Sequence, residues 1–178
     1  MENPLQQNDS GQENSDSRKT LLLFFSESLK ELYFAENAIS EAFNEISGKI
    51  AAPQLRTILN NHYQIHLNHK ERLAKIFKMQ DEAVETKYSA AIIALLNDAN
   101  EHFTVFSDDI VNWEIALLLT SRKLAHYKIA AYGAAAHLAI NLNNHRAATL
   151  LAIDVQEEED FVNNHLNDIT HQFLGPYR

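Results

Sequence analysis

Four glycines and three prolines in 178 residues leave this chain almost without turn residues. Average usage would supply roughly 21 of the two together in a chain this long. Sheets need a turn every few positions, and Gly and Pro are the residues that most readily make them. An all-β or α/β fold is therefore ruled out, and the chain reads as all-α. Its length suits one domain with a sizeable core.

The apolar residues carry this further. Residues 1–17 are almost entirely Asn, Gln, Ser, Asp and Glu, a segment that cannot bury enough apolar area to offset its ordering entropy. A disordered polar tail is expected there, with the bundle domain over 18–178. The first helix is predicted from Arg18 to Gly48, a good residue to follow a helix end. Its stripe is Leu22, Phe25, Leu29, Leu32, Glu36, Ile39, Phe43, Ile46, alternating steps of three and four as the seam of a bundle helix does. Pro53 suits the first turn of a second helix. The stripe there is Leu55, Leu59, His62, His66, His69, Leu73, Ile76, ending near Gln80. A short helix, Ser89 to Phe106, bridges to a long one that begins at Ser107 or Asp108. Its stripe is Val111, Ile115, Leu118, Arg122, Ala125, Ile129, Tyr132, Ala136, and its interior Gly133 suggests close helix packing. After a turn at Asn141–Asn144, a last helix runs to Phe173 with the stripe Ala148, Leu151, Val155, Glu158, Val162, Leu166, Ile169, Phe173. Two antiparallel pairs of long helices, joined by a crossover that carries a short helix, make a ferritin-like four-helix bundle.

The polar members of these stripes are the candidate site. Counting from the two hairpin turns places Glu36 level with His62 and His66, and Glu158 level with Ala125 and Ile129, with Arg122 a turn or two away. A buried carboxylate without a partner costs several kcal/mol or is forced to protonate. One remedy is a metal pair, for which two helices each give a Glu and the other two each give Glu-x-x-His; that motif is absent from both the second and the last stripe. The other remedy is a polar network in which Arg122 and the histidines neutralise the carboxylates. Blander alternatives stand beside both: carboxylates near a wet end of the bundle, a hydrogen-bonded histidine core, and an arginine that snorkels to the edge.

Composition narrows the function classes. The chain has no Cys, which excludes a disulfide scaffold, a Cys-bound metal and a thiol nucleophile. Its net charge of −9 argues against a nucleic-acid partner. No apolar run is long enough to span a membrane, and the N-terminal residues lack the basic and apolar regions of a secretory signal. A cytoplasmic protein is expected. The apolar residues Ile92, Ile93, Leu95 and Leu96 of the short helix, with Trp113 and Leu117, point to a homo-oligomer, a dimer being favoured. No catalytic residue is assigned.

The stretches Leu29-Lys-Glu-Leu-Tyr-Phe-Ala-Glu36-Asn-Ala-Ile, Lys70-Glu-Arg-Leu-Ala-Lys-Ile-Phe77, Ala99-Asn-Glu101, His126-Tyr-Lys-Ile-Ala-Ala-Tyr-Gly133 and Leu150-Leu151 leading to Glu157-Glu158 resemble, in order, the YciE/YciF-type ferritin-like stress proteins of bacteria. The resemblance spans about Leu21 to Ile169 and implies a stress-associated bundle with a di-iron site. It carries over Glu36, His62 and Glu158 as metal ligands. The other family positions are changed: one glutamate falls on Ile65, another on Ala125, an acid on Val162 and a glutamine on Arg122. The expectation is a degenerate metal site without enzymatic activity. His66 and His69 are possible substitute ligands, Arg122 stands as counter-charge in place of metal, and no cofactor is favoured. A working di-iron protein that oxidises iron or handles peroxide, with rewired histidine ligands, is the first alternative. A helical interaction module without metal chemistry is the second.

Overall fold

The computed structural model describes residues 7–177, with side chains from Ser15 onward. Of the polar tail expected over 1–17, residues 1–6 lie outside the described residues. From Gln7 the backbone is helical, and α1 runs Gln7–Ile46, starting well before Arg18. Gln and Glu are good helix formers, so a helix anchored from Phe25 onward by the core extends into them. Gly48 does not close α1 in a left-handed cap; a 3₁₀ turn, Ser47–Lys49, follows instead. Then come α2 (Pro53–Met79, with Pro53 in its first turn) and the short α3 (Ala90–Val105).

Helix α4 spans Ile110–Asn141 and is capped by Asp109, whose side chain accepts from Asn112 N at 3.1 Å. This cap lies one residue past the two expected candidates. The turn at the far end uses Asn143 in the left-handed region (φ 59°). Asn144 caps α5 (His145–Phe161) by accepting from Ala147 N at 3.2 Å. The last helix is not continuous. A π-helical turn at Val162–Leu166 separates α5 from α6 (Asn167–Leu174), and the extra residue lets Phe161 and Val162 both face inward.

These helices form an all-α, ferritin-like bundle. The pairs α1/α2 and α4/α5 are joined by the connection that holds α3, which packs on α4 and α1. The core has two large apolar halves and a small third cluster, Ala35, Ile39 and Ile92, under α3. One is built around Phe25, Leu29, Phe77, Tyr132 and Leu151, the other around Leu55, Trp113, Leu118, Phe161 and Leu166. Trp113 and Leu117 belong to this second half and are buried within their own chain. Between the halves lies the polar layer described below.

One buried carboxylate off the predicted stripes has a plain structural task. Glu114, on α4, accepts from Ala51 N and Ala52 N at 2.7 Å each through its Oε1. It thereby serves amides that precede α2, an entry point with no side-chain cap of its own. Glu114→Ala is expected to lower unfolding stability by about 2 kcal/mol in urea titrations. Gly133 is a correction in the other direction. A Cβ built there meets nothing within 4 Å, so no close helix contact requires glycine. Gly133→Ala should raise stability by about 0.5–1 kcal/mol, read as a higher melting temperature.

Candidate functional site

The middle of the bundle contains a cluster of ionisable side chains in which Glu36, His69, Lys128, Asp154 and Glu158 are wholly buried and His62 and His66 nearly so. Alternating steps of three and four put His62, His66 and His69 on one face of α2 and Glu36 on the facing side of α1. The same geometry places Lys128 between Ala125 and Tyr132 on α4, and Asp154 between Leu151 and Glu158 on α5.

Lys128 is the centre. Its Nζ lies 2.7 Å from Glu158 Oε1, 2.9 Å from Glu36 Oε1 and 2.9 Å from His66 Nδ1. Glu36 is further held by His66 Nδ1 at 2.5 Å on Oε2, and by Tyr132 Oη at 2.7 Å and His69 Nδ1 at 3.1 Å on Oε1. Glu158 receives His62 Nε2 at 3.0 and 3.1 Å on its two oxygens. The His62 ring stacks on Phe161, with centroids 3.4 Å apart and planes 7° apart. A second ionic group adjoins the first through His69, whose Nε2 lies 3.0 Å from Glu157 Oε2 and 3.7 Å from Asp154 Oδ1. Arg72 binds both of these acids, Nε to Asp154 Oδ1 and Nη2 to Glu157 Oε2.

The electrostatics follow from burial and these contacts. Burial pushes the Glu36 carboxyl up, but Lys128, His66 and His69 together outweigh it and hold it well below the usual carboxylate range. Glu158 is likewise held below that range, against burial, by Lys128 and His62. Lys128 stays charged because the two carboxylates raise it more than burial lowers it. Burial takes His62 down to about 4 despite Glu158, and burial with Lys128 lowers His66. His69 is raised: burial and Lys128 oppose its charge, but Glu157 and Glu36 favour it more. Burial lifts Asp154 to about 7 in spite of His69 and Arg72. The layer therefore holds ionised Glu36, Glu158 and Lys128 beside neutral His62 and His66.

Of the residues singled out from the sequence, Glu36, His62, His66, His69 and Glu158 come together in one cluster. Arg122 does not join it. It is half-buried and donates from Nη2 to Asn167 Oδ1 at 2.8 Å, because α4 turns Lys128, not Arg122, into the plane of the two carboxylates. The counter-charge expected of Arg122 belongs to Lys128. Asp154, Arg72 and Tyr132's contact with Glu36 were also missed. The available signal was the second possible register, Ala125-Lys128-Tyr132 on α4 and Leu151-Asp154-Glu158 on α5, each with steps of three and four.

Two groups have ligand atoms close enough to share one cation: His62, His66 and Glu158, and His69, Asp154 and Glu157, each with its atoms within 4.8 Å of one another. Each touches a protein cation, Lys128 in the first and Arg72 in the second.

The sequence profile of a family described as a domain of unknown function (DUF892) matches residues 20–174. The Protein YciF of Escherichia coli K12 is 26% identical over 142 residues, 79% of this chain and 85% of that protein. The crystal structure of the E. coli stress protein YciF superposes with a TM-score of 0.81 at 24% identity, covering 88% of this chain and 98% of that one. YcfI of Rhodopseudomonas palustris gives a TM-score of 0.76 at 23% identity, covering 83% of this chain and 92% of that one. Among the described residues no helix is long and apolar enough to cross a membrane.

Proposed function

The chain belongs to the DUF892 family, and on that premise we propose that it is a stress-associated, ferritin-like bundle protein of the YciF type. In this reading its metal site is degenerate, its central cation is Lys128, and it performs no turnover. The observation that carries this reading is the position of the Lys128 ammonium, within 2.9 Å of an oxygen of both Glu36 and Glu158.

A di-iron pair needs several carboxylates to balance its charge and suit hard ions. Here the layer offers two buried glutamates to one lysine. A divalent ion between Glu36 and Glu158 would meet an ammonium already hydrogen-bonded to both. The donor set does not fit a metal pair. Asp154 and Glu157, the other acids at hand, are bound by Arg72. Association with stress rests on the relative from E. coli, which is a stress protein.

The test is metal analysis of purified protein together with an iron-oxidation assay. Far less than one iron, manganese or zinc per chain is expected after dialysis, with no oxidation above the rate in buffer. Stoichiometric metal, or catalysed oxidation of ferrous iron, would support the di-iron alternative instead. A homodimer accompanies the reading. Of the residues offered from the sequence, Ile92, Trp113 and Leu117 are buried within the chain, whereas Ile93, Leu95 and Leu96 of α3 stay half-buried; with the exposed Leu22, Leu23 and Phe24 of α1 they supply apolar surface for a second copy. Sedimentation showing only monomer at tens of micromolar would remove that part.

A further inference from the structure

The connection from α2 to α3 is tied to the bundle from outside. Residues 81–88 are all exposed. Among the described residues their backbone joins α1 through one hydrogen bond, Lys87 N to Lys30 O at 3.2 Å. The other attachments to α1 are side chains in water. Glu85 pairs with Lys30 at 2.7 Å, Lys87 pairs with Glu27 at 2.9 Å and Glu31 at 2.8 Å, and Ser26 Oγ donates to Glu82 at 2.9 Å. The Tyr88 ring leans on Phe34 with centroids 5.6 Å apart, yet Tyr88 stays 63% exposed.

Helix α3, which follows, is also lightly anchored. Of its residues only Ile92 and Ala99 are buried. Ile92 meets Ala35 and Ile39 in the small third cluster, apart from the two large halves of the core. Its C-terminal end rests on α4 through Phe103, whose ring centroid lies 4.9 Å from that of Trp113. Two polar ties to α4 add to these: Ser89 Oγ lies 3.2 Å from Tyr127 Oη, and Lys123 pairs with Asp98.

The weak attachment has a consequence because of what lies beneath. Through Leu96, Ala99 and Phe103, α3 supplies one wall of a cavity of about 90 Å³ whose inner end is formed by His62, His66 and Lys128. It thus stands between solvent and the ionic layer. A segment with few buried apolar contacts opens at a lower free energy than the whole bundle unfolds. Exposed ion pairs are individually weak and are screened by salt.

We infer that residues 81–105 form a lid that lifts from α1 and α4 as a unit while the four long helices stay folded, and that the ion pairs of Lys30, Lys87 and Lys123 set how often it opens. Opening removes the α3 wall and admits water and small solutes to Lys128, His62 and His66. Ionic strength then controls access to the layer. The inference goes beyond the proposed function, since it concerns access to the layer and stands independently of what the layer holds.

The chain has no cysteine, so a single introduced thiol reports opening. Ala99→Cys places it on the inner face of α3 and Ala35→Cys places it on α1 beneath, while Ala135→Cys, in a large half of the core, is the reference. Each full-length variant is labelled with iodoacetamide, which is uncharged, and its rate is divided by that of a cysteine peptide in the same buffer. At low salt both lid probes are expected to react at least about tenfold faster than Ala135→Cys. Their rates should barely rise with sub-denaturing urea, because lifting the lid exposes little surface. Raising sodium chloride from about 0.01 M to about 1 M shortens the screening length from roughly 30 Å to roughly 3 Å. That should speed the lid probes roughly fivefold and leave Ala135→Cys within about twofold. Adding Lys87→Gln should speed them about threefold at low salt and shrink the response to salt. If one lid probe fails to fold, the other carries the test. Lid probes that react no faster than Ala135→Cys would overturn the proposal, since α3 would then open only by global unfolding. Lid probes whose rates respond to neither salt nor Lys87→Gln would overturn it too, since the ion pairs would then hold nothing.

Discussion

Lys128→Met is expected to lower unfolding stability by roughly 3–5 kcal/mol, because it removes the ammonium that hydrogen-bonds both Glu36 and Glu158 and leaves two buried carboxylates facing each other. The side chains are close in volume, so the loss reports charge rather than packing. Replacing all three groups by uncharged ones of similar shape, Lys128→Met with Glu36→Gln and Glu158→Gln, should restore stability to within about 1–2 kcal/mol of the unaltered protein. No charge is then stranded, and the histidines and Tyr132 keep acceptors. Chemical denaturation midpoints of the single and triple variants check this. A single variant as stable as the unaltered chain would mean that the ammonium contributes nothing to holding the layer together.

The second large effect is in pH dependence. Asp154 has its pKa raised by burial from 3.8 to about 7. A raised carboxyl binds its proton in the folded state before the unfolded chain does. Its contribution is therefore fully present below the unfolded pKa and lost as pH rises through the folded one. His62 works in the opposite sense. Burial lowers it from 6.5 to about 4, so its contribution is present above 6.5 and lost as pH falls toward 4. The two trends oppose each other across the same window. Asp154→Asn removes one of them. Between pH 8 and pH 4 the stability difference should shift by roughly 4 kcal/mol in favour of the unaltered protein. Thermal or urea unfolding of both proteins at matched pH measures the difference, in which the other carboxylates cancel. A constant difference across the window would show that Asp154 titrates like an exposed carboxyl.

Why the sequence showed some of this layer and hid the rest is a matter of helix geometry. The four long helices, the crossover helix and the pairing of Glu36 with the histidines were legible because one residue type dominated each step of the stripe. Leu55 through Ile76 admit a single register on α2, and every predicted member is buried. On α4 and α5 two registers compete. A straight helix drifts about 20° per heptad against a strict seven-residue repeat, so over 32 residues both Lys128 and Ile129 fall near the core side. Choosing the apolar member favoured Ile129 and Val155, which are half-buried, over Lys128 and Asp154, which are fully buried. The rule that charged residues lie outside fails here because the charges compensate one another across helices, which no single stripe can reveal. The same drift left Val111 exposed and put Trp113 and Glu114 inside. The π-turn after α5 had no sequence signal of the kind used, since neither Gly nor Pro marks it.

The central claim is that a protein ammonium, not a metal, stands between Glu36 and Glu158. The most direct measurement is the ¹⁵Nζ resonance of Lys128 in lysine-labelled protein, observed at neutral pH with and without added manganese(II). A protonated ammonium, protected from water exchange by its contacts and unbroadened by one equivalent of the paramagnetic ion, is the expected result. A neutral amine, or loss of the Lys128 signal on adding stoichiometric manganese, would contradict the account.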